Sequence, residues 1–382
     1  MSAASLRLGL NGTALLSPLT GIGQYTRNLA EALARDDSID LSLFYGTGWS
    51  REIRVNPMRN IVPLKGIIKR VVPYPYAIRR YIYQRKFASG LRDRQLKLYH
   101  EPNFLSYTSP VPTVITAHDL SWLRFPETHP RDRVAVMKRL FPASLKQAAH
   151  VITDAAYTRG ELISEFNVEP SKVTAIGLGA RAIFHPRSAA ECAPVLTQHN
   201  LNYRSFILCV GTLEPRKNLQ LAIRAYAALP PAFRAAVPMA LVGMKGWLTS
   251  GLETVMRPLV AAGQVRTLGF TDDATLAALY SSARMLVYPS LYEGFGLPPL
   301  EAMASGTPVI VSDRSTLPEV VGAAGVLIEP MDAEALMSWI TRLQEDETFW
   351  LERATASLAQ ASNFSWERCA AETTAIYRRI VA

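Results

Sequence analysis

Two series of short apolar, β-branched runs, each run followed by a helix-length amphipathic segment, leave this chain few folds to adopt. In the first series the runs are LRLGL (6–10), LSLFY (41–45), TVITAH (113–118) and HVIT (150–153). In the second they are SFILCV (205–210), MALVG (239–243), RMLVYP (284–289) and PVIVS (308–312). Segments such as TRNLAEALAR (26–35) and LQLAIRAYAAL (219–229) lie between them with helical spacing. Apolar strands alternating with helices make parallel sheets covered on both faces. The pattern restarts near residue 205, after the polar, proline-containing stretch 184–204, which reads as a linker. An α/β chain of two doubly wound, Rossmann-like domains follows, and 382 residues suffice for two. In open sheets of this kind ligands sit beyond the carboxyl ends of the strands, at helix N-termini. Two such domains facing across a cleft would line it with both sets of loops.

Those loops hold the chemically informative residues. In PSLYEGFGLPPLEAMASGTPVIVSD (289–313) a strand ends at Pro289, a glycine-rich loop follows, and a helix begins near Pro298 and Pro299. Gly294 and Gly296 leave the amides of Gly294, Phe295, Gly296 and Leu297 open to an anion or a sugar hydroxyl. Glu293 in the loop and Glu301, expected in the first helical turn, can accept hydrogen bonds from vicinal hydroxyls of a sugar or ribose. An isolated Gly-x-Gly turn with a dipole-complementing glutamate would be ordinary helix-start chemistry. Two glutamates framing EGFGLPPLE directly behind a strand favour binding instead.

VGTLEPRKN (210–218) places Gly211 at a strand end and Arg216 and Lys217 before the next helix. A planar fork beside a mobile point charge suits a diphosphate, and cations at a helix N-terminus oppose its dipole until an anion arrives. A solvated charged loop is the structural alternative. TVITAHDLSWLRFP (113–126) ends a strand at His118 and Asp119. A histidine there can donate to a phosphate or hydroxyl and titrates near neutrality, although a lone strand-end histidine is more often structural. Glu101 and Asn103 of HEPNF are candidates to line the same cleft. Gly21 and Gly23 in SPLTGIGQYTRNL (17–29) resemble a phosphate loop. They lack the spaced third glycine and the acidic partner of a nicotinamide site.

Charge adds a located feature. The net charge is +9, yet residues 51–97 alone hold 13 basic and 2 acidic side chains. VVPYPYAIRRYIYQRKF (71–87) interleaves tyrosines and isoleucines with Arg79, Arg80, Arg85 and Lys86, which suits an anionic lipid surface. A solvated helix, or a grip on a phosphorylated acceptor, is the alternative. No nucleic-acid motif accompanies the patch. Cys192, Cys209 and Cys369 are odd in number and far apart, which argues against a disulfide framework or a zinc site. None of the 12 aspartates forms an Asp-x-Asp pair, and Walker A and G-x-S-x-G sequences are missing. No apolar run reaches membrane-spanning length, and Asn11 and Gly12 interrupt the first one, which makes a poor signal peptide. A cytoplasmic protein is expected.

In order along the chain, GIGQYTRNL, HDLSWLRFPE, GTLEPRKN, LVYPSLYEGFGLPPLEAMASGTPVI and LPEV (317–320) resemble glycosyltransferase family 4, retaining enzymes of the GT-B fold. With the closing NFSWERCAAETTAIYRRI (363–380) the likeness covers nearly the whole chain. Within the family the chain looks most like bacterial mannosyltransferases of O-antigen or exopolysaccharide synthesis. The resemblance implies an acceptor-side domain over 1–184, a nucleotide-sugar domain over 185–362, and a helical tail over 363–382 that crosses back to the first domain. It implies that Glu301 meets the ribose hydroxyls, and that Glu293 with the Gly294–Leu297 amides meets the sugar. Arg216 and Lys217, beside Gly211, would hold the diphosphate and stabilise its developing charge. Gly21 and Gly23 would approach the phosphates from the other domain. His118 would contact sugar or phosphate at the reaction centre, with Asp119 and Asn103 on the acceptor side. Thr212 stands where many members carry arginine, which leaves Arg216 and Lys217 as the principal phosphate cations.

Such enzymes generally need no metal or other cofactor, and the donor phosphate is thought to take the acceptor's proton. Glu293 would then be a positioning group rather than a covalent nucleophile. The implied reaction moves mannose from GDP-mannose to a lipid-linked or oligosaccharide acceptor, at the inner face of the cytoplasmic membrane and without nucleic acid. Another GDP- or UDP-sugar such as GDP-rhamnose, a sugar-nucleotide epimerase, and a catalytically silent GT-B binding protein are the alternatives.

Overall fold

The computed structural model describes residues 5–17, 19, 21–55, 75–212, 214–244 and 250–382. They form two compact units, one of Met1–Leu120, Asp132–Gly177 and Trp366–Ala382, the other of Ser121–Arg131 and Leu178–Ser365. The first unit holds β1 (Leu6–Asn11), β2 (Ile39–Phe44), β3 (Trp49–Ser50), β4 (Leu98–Glu101), β5 (Thr113–Ala117), β6 (His150–Thr153) and β7 (Val173–Ala175). Its sheet runs β3-β2-β1-β4-β5-β6-β7, parallel except for the antiparallel β3. The second unit holds β8 (Ile207–Val210), β9 (Met239–Val242), β10 (Val265–Gly269), β11 (Met285–Tyr288), β12 (Val309–Ser312) and β13 (Val326–Ile328). Its parallel sheet runs β10-β9-β8-β11-β12-β13. Strand order therefore reverses between β1 and β4 in one sheet and between β8 and β11 in the other, where open sheets take their ligands.

Burial explains which strands were visible in the sequence. β9, β11 and β12 are buried along their whole length and read as continuous apolar runs. β10 is an edge strand that exposes every second or third residue, so VRTLG shows no such run. β4 is wholly buried but ends in His100 and Glu101, which broke the apolar pattern.

Three boundaries differ from those expected. The crossover to the second unit falls at Gly177 rather than residue 184, and the return falls at Trp366 rather than 363. Ser121–Arg131 belongs to the second unit, where the Phe125 ring lies 5.7 Å from that of Tyr292. The HDLSWLRFP motif is thus divided, with His118, Asp119 and Leu120 in one unit and the rest in the other. The stretch 184–204 is not a plain linker, because Ala189–Gln198 is helical. Ser188 and Glu191 form a capping box at its start, and Cys192 and Leu196 are buried. Pro194 and the polar content hid that signal. The terminal helix Trp366–Val381 packs on Gly21–Leu33 in the first unit. There the Tyr377 hydroxyl lies 2.6 Å from His100 Nδ1.

Within the basic segment, the helix Pro75–Asp93 is anchored by Phe87 and Leu91, which join Phe44 and Tyr99 in a buried cluster. Gly90 is required there, since a Cβ would sit 2.2 Å from the Trp49 ring. The opposite face exposes Ile82, Arg85, Lys86, Ser89 and Arg92, spaced as one stripe of a helix. The side chains of Arg79 and Arg80 lie outside the described residues. Among the described residues no helix is long and apolar enough to cross a membrane. All three cysteines are free and buried.

Candidate functional site

The loops after β8 and β11 meet at the strand reversal of the second unit. Gly211 leaves β8 at φ +149°, its amide donating to Val242 O at 2.8 Å. Gly243 follows β9 so closely that a Cβ would lie 1.9 Å from the Gly211 carbonyl oxygen, so only glycine fits. Pro215–Lys217 forms one 3₁₀ turn, which Asn218 (φ +51°) ends before the helix Leu219–Ala228. The turn is tied to the neighbouring loop by the Leu291 amide, which donates to Arg216 O at 2.8 Å, and by Asn218 Nδ2, which donates to Pro289 O at 3.1 Å. Local sequence thus fixes two loops as one rigid piece.

On that piece Lys217 Nζ donates to Glu293 Oε1 at 2.6 Å and to the Tyr288 hydroxyl at 2.9 Å. The Tyr288 hydroxyl in turn donates to Glu293 Oε1 at 2.8 Å, closing a triangle. Arg216 Nη1 donates to Tyr292 O at 2.7 Å and lies 3.3 Å from Glu293 Oε2, while Nη2 donates to Glu214 Oε1 at 2.6 Å. The Glu293 amide donates to Ser315 Oγ at 2.9 Å, and the Thr316 hydroxyl donates to Phe295 O at 2.7 Å. Burial works to raise the Glu293 carboxyl, but Lys217 and Arg216 hold it down to about 2. Glu293 is therefore ionised at any working pH and cannot serve as a general acid. Two cations matched by two carboxylates are preassembled, and Lys217 still has a third N–H to offer.

The rest of the glycine-rich loop presents its backbone. The Phe295 side chain is buried with its ring 5.7 Å from that of Phe364, so only its peptide groups can meet a ligand. Gly296, at φ +118°, caps the helix Leu297–Ala304, and a Cβ there would press on Leu317 at 2.9 Å. Pro298 and Pro299 carry no N–H, which leaves the amides of 294–297 at this helix start. Glu301 is the fifth residue of that helix and not in its first turn. Burial pushes its carboxyl up to about 7, with Arg181 opposing.

The first unit assembles a different set. Gly21 and Gly23 lie inside the first turn of the helix Gly21–Leu33, not in a loop before it. A Cβ on Gly21 would meet nothing, whereas Gly23 lies against Leu19. His118 is buried, with Nδ1 2.7 Å from Asp154 Oδ2 and Nε2 donating to Pro102 O at 2.8 Å. Burial alone would push the imidazole down, and the Asp154 carboxylate with the Pro102 carbonyl outweighs it, so His118 is held above its ordinary value. Both ring nitrogens serve the unit itself, which revises the expectation that they reach sugar or phosphate. Asp119 is half-buried and Asn103 is exposed. Asn11 Nδ2 donates to Glu101 Oε2 at 2.7 Å, and the Tyr99 hydroxyl donates to the same oxygen at 2.8 Å.

Residues 19–181 match the family model described as Glycosyltransferase Family 4, and residues 197–361 match Glycosyl transferases group 1. The O-antigen chain mannosyltransferase B of Escherichia coli is 38% identical over 369 residues, which are 94% of this chain and 96% of that one. The chain belongs to glycosyltransferase family 4. The sucrose-phosphate synthase structure from Thermosynechococcus elongatus has a TM-score of 0.76 at 22% identity, covering 98% of this chain and 99% of that one. Anabaena Alr3699/HepE, solved with UDP-glucose, has a TM-score of 0.72 at 18% identity, covering 98% and 100%. The two parallel sheets are the Rossmann-like domains of the GT-B fold.

Several residues of this glycosyltransferase's site escaped the sequence reading. Tyr288 closes β11 one position before Pro289, where a tyrosine reads as one more apolar strand residue. Glu214 lies inside the quoted GTLEPRKN but shows its role only through Arg216. Ser315, at φ +52°, and Thr316 come from the next strand's loop, and no local spacing links them to Glu293. Arg181 and Asp154 likewise reach their partners only through the tertiary fold. Among the described residues, no three His, Cys, Asp or Glu side chains converge as metal ligands.

Proposed function

We propose that this enzyme transfers mannose from GDP-mannose to a growing bacterial surface glycan of the O-antigen type. The observation that carries the reading is the Arg216–Lys217–Glu293–Tyr288 cluster at the strand reversal of the second unit. The mannosyltransferase named above supports the sugar, and the nucleotide-sugar held by Alr3699/HepE supports the donor class. An incoming diphosphate takes over Lys217 and Arg216 as charge-assisted partners, and the loop amides of 294–297 meet the sugar. As the bond from C1 to the phosphate oxygen breaks, negative charge grows on the diphosphate, and the two fixed cations stabilise it. The acceptor hydroxyl attacks C1 from the same face and gives its proton to the departing phosphate oxygen, which retains configuration. Glu293 stays ionised throughout and accepts hydrogen bonds from the sugar hydroxyls. Arg216 and Lys217 supply the countercharge, so transfer proceeds undiminished in EDTA. A thermal-shift screen against GDP-mannose, GDP-rhamnose, GDP-fucose and UDP-sugars tests the donor, because a bound ligand raises stability by mass action. The largest rise is expected with GDP-mannose, and a larger rise with a UDP-sugar overturns the guanine assignment.

The acceptor is lipid-linked in this reading, and the outer stripe of Pro75–Asp93 meets the anionic membrane that carries it. Exposed Ile82 beside exposed Arg85 and Lys86 supports this, with Arg79 and Arg80 continuing the charge in sequence. Each cation near the surface contributes about 1 kcal/mol. Flotation with phosphatidylglycerol vesicles should drop when Arg79, Arg80, Arg85 and Lys86 are reversed to glutamate. Equal flotation by that variant removes the membrane from the proposal.

A further inference from the structure

Arg181 lies in the loop that follows the crossover into the second unit. Its Nη1 donates to Asp273 Oδ2 at 2.5 Å and its Nη2 to Asp273 Oδ1 at 3.0 Å, a bidentate pair at the first residue of the helix Asp273–Ser282. The same Nη2 stands 3.8 Å from Glu301 Oε1. The guanidinium carbon lies 4.8 Å from the Phe184 ring centroid, which fixes the plane of the fork. Arg181 and Glu301 side chains are only 13% and 12% exposed, whereas Asp273 is 46% exposed. One cation is thus shared between an outer and an inner carboxylate.

We infer that Arg181 is a positioning residue for the donor, fixing Glu301 and favouring the form whose carboxylate can accept both hydroxyls of a ribose. This rests on the reading that Glu301 meets the ribose. An ionised carboxylate accepts at both oxygens, while a protonated one spends an oxygen on its own proton. The groups that act on the Glu301 carboxyl are Arg181, which lowers it, Asp273, which raises it, and the Tyr280 phenol beside it. Of the charged side chains on the other elements packed on the helix Leu297–Ala304, Glu319 on Leu317–Val321 and Glu347, Glu352 and Arg353 on Glu347–Ala361 are not among the groups that shift it. Burial outweighs Arg181 and brings the carboxyl up to about 7, so donor affinity rises with pH as Glu301 ionises, and the Arg181–Asp273 balance sets where that rise occurs.

The test is the dissociation constant of GDP-mannose, with UDP-glucose as second probe, measured on the full chain from about pH 5 to about pH 9. Neither probe's diphosphate titrates in that window. Arg181→Gln removes the cation and leaves Asp273, so the midpoint of the affinity rise should move up by about one pH unit or more, weakening binding about fivefold or more at neutral pH. Asp273→Asn releases Arg181 to Glu301 and should move the midpoint down. Arg181→Lys keeps the charge without the fork and should restore most of the wild-type midpoint. A purely structural ion pair would lower thermal stability in both Arg181→Gln and Asp273→Asn and leave the midpoint where it was, which overturns the inference. Glu301→Gln separates the two readings. If it binds the probe as wild type does, the ribose assignment itself falls. If it loses the pH dependence while Arg181→Gln and Asp273→Asn keep the wild-type midpoint, only the role of Arg181 falls. Binding of neither probe at any pH overturns both.

Discussion

Glu101 at the end of β4 and Glu293 just past β11 hold matching places in their two sheets, at the reversal of strand order. Both are buried, and each accepts a hydroxyl bond from a tyrosine a few residues earlier in the chain, Tyr99 on β4 at 2.8 Å and Tyr288 on β11 at 2.8 Å. Their other donors differ. Glu101 takes the neutral amide of Asn11, whereas Glu293 takes the charged heads of Lys217 and Arg216. A neutral amide has no stronger partner to leave for, so the first cluster is a fixed polar piece of its unit. Two cations can exchange a carboxylate for a diphosphate, so in the reading proposed above Glu293 is the counter-ion that the second cluster gives up to the donor. The fold supplies the place twice, and the charge of the donors described at each place is what differs.

The harshest way to break that comparison is to remove charge from the second cluster. Glu293→Gln keeps the shape but forfeits both ion pairs, and sugar transfer should fall about 10²–10³-fold with an unchanged far-ultraviolet circular dichroism spectrum. Lys217→Ala should fall at least as far and also lose stability, since Glu293 stays buried with one cation fewer. Wild-type transfer by either variant would place the reaction elsewhere. Next in size is Tyr288→Phe, which deletes one oxygen and two charge-assisted hydrogen bonds. Its kcat/KM should drop about 10–100-fold, at ~1.5–3 kcal/mol for a bond to a charged group. An unchanged kcat/KM would mean that Lys217 and Glu293 need no third member.

Acid and base should separate the units further. The folded Glu293 carboxyl, at about 2, lies below its unfolded value of 4.5, so its contribution is present above 4.5 and is lost as pH falls toward 2. That contribution is ~3 kcal/mol at most. His118 is raised above 6.5, so what it contributes is complete below 6.5 and is lost as pH rises through its folded value. Melting temperatures followed across pH should therefore lose the acid-side slope in Glu293→Gln and the alkaline-side slope in Asp154→Asn. If Asp154→Asn leaves the alkaline slope intact, the His118–Asp154 pair is not what raises the imidazole.

What the sequence disclosed follows the same division. Buried parallel strands such as β9 and β11 announce themselves because both of their faces are apolar, and the loops behind them carry contiguous motifs. Arg216, Lys217, Glu293 and Glu301 were legible for that reason. Tyr288, Ser315 and Arg181 were not, because each reaches the site from an element whose own local pattern is complete without it. His118 was visible, yet its inward orientation depends on Asp154 and Pro102, which lie 36 and 16 residues away. The helix Ala189–Gln198 shows the opposite failure. Its Ser188-x-x-Glu191 box was present in the sequence and was outweighed by a proline that the helix tolerates.

The mildest perturbation is also the most discriminating for the first cluster. Asn11 Nδ2 and the Tyr99 hydroxyl both address Glu101 Oε2, so the amide oxygen of Glu101→Gln can accept the same two bonds. Both of these bonds survive the change, and the cost should stay within about 1 kcal/mol, with sugar transfer within about twofold of wild type. Glu293→Gln keeps its hydroxyl bond equally well, so a larger loss in that variant reports on Lys217 and Arg216. If Glu101→Gln instead lowers transfer without lowering the melting temperature, Glu101 handles the acceptor together with Asn103, two residues along.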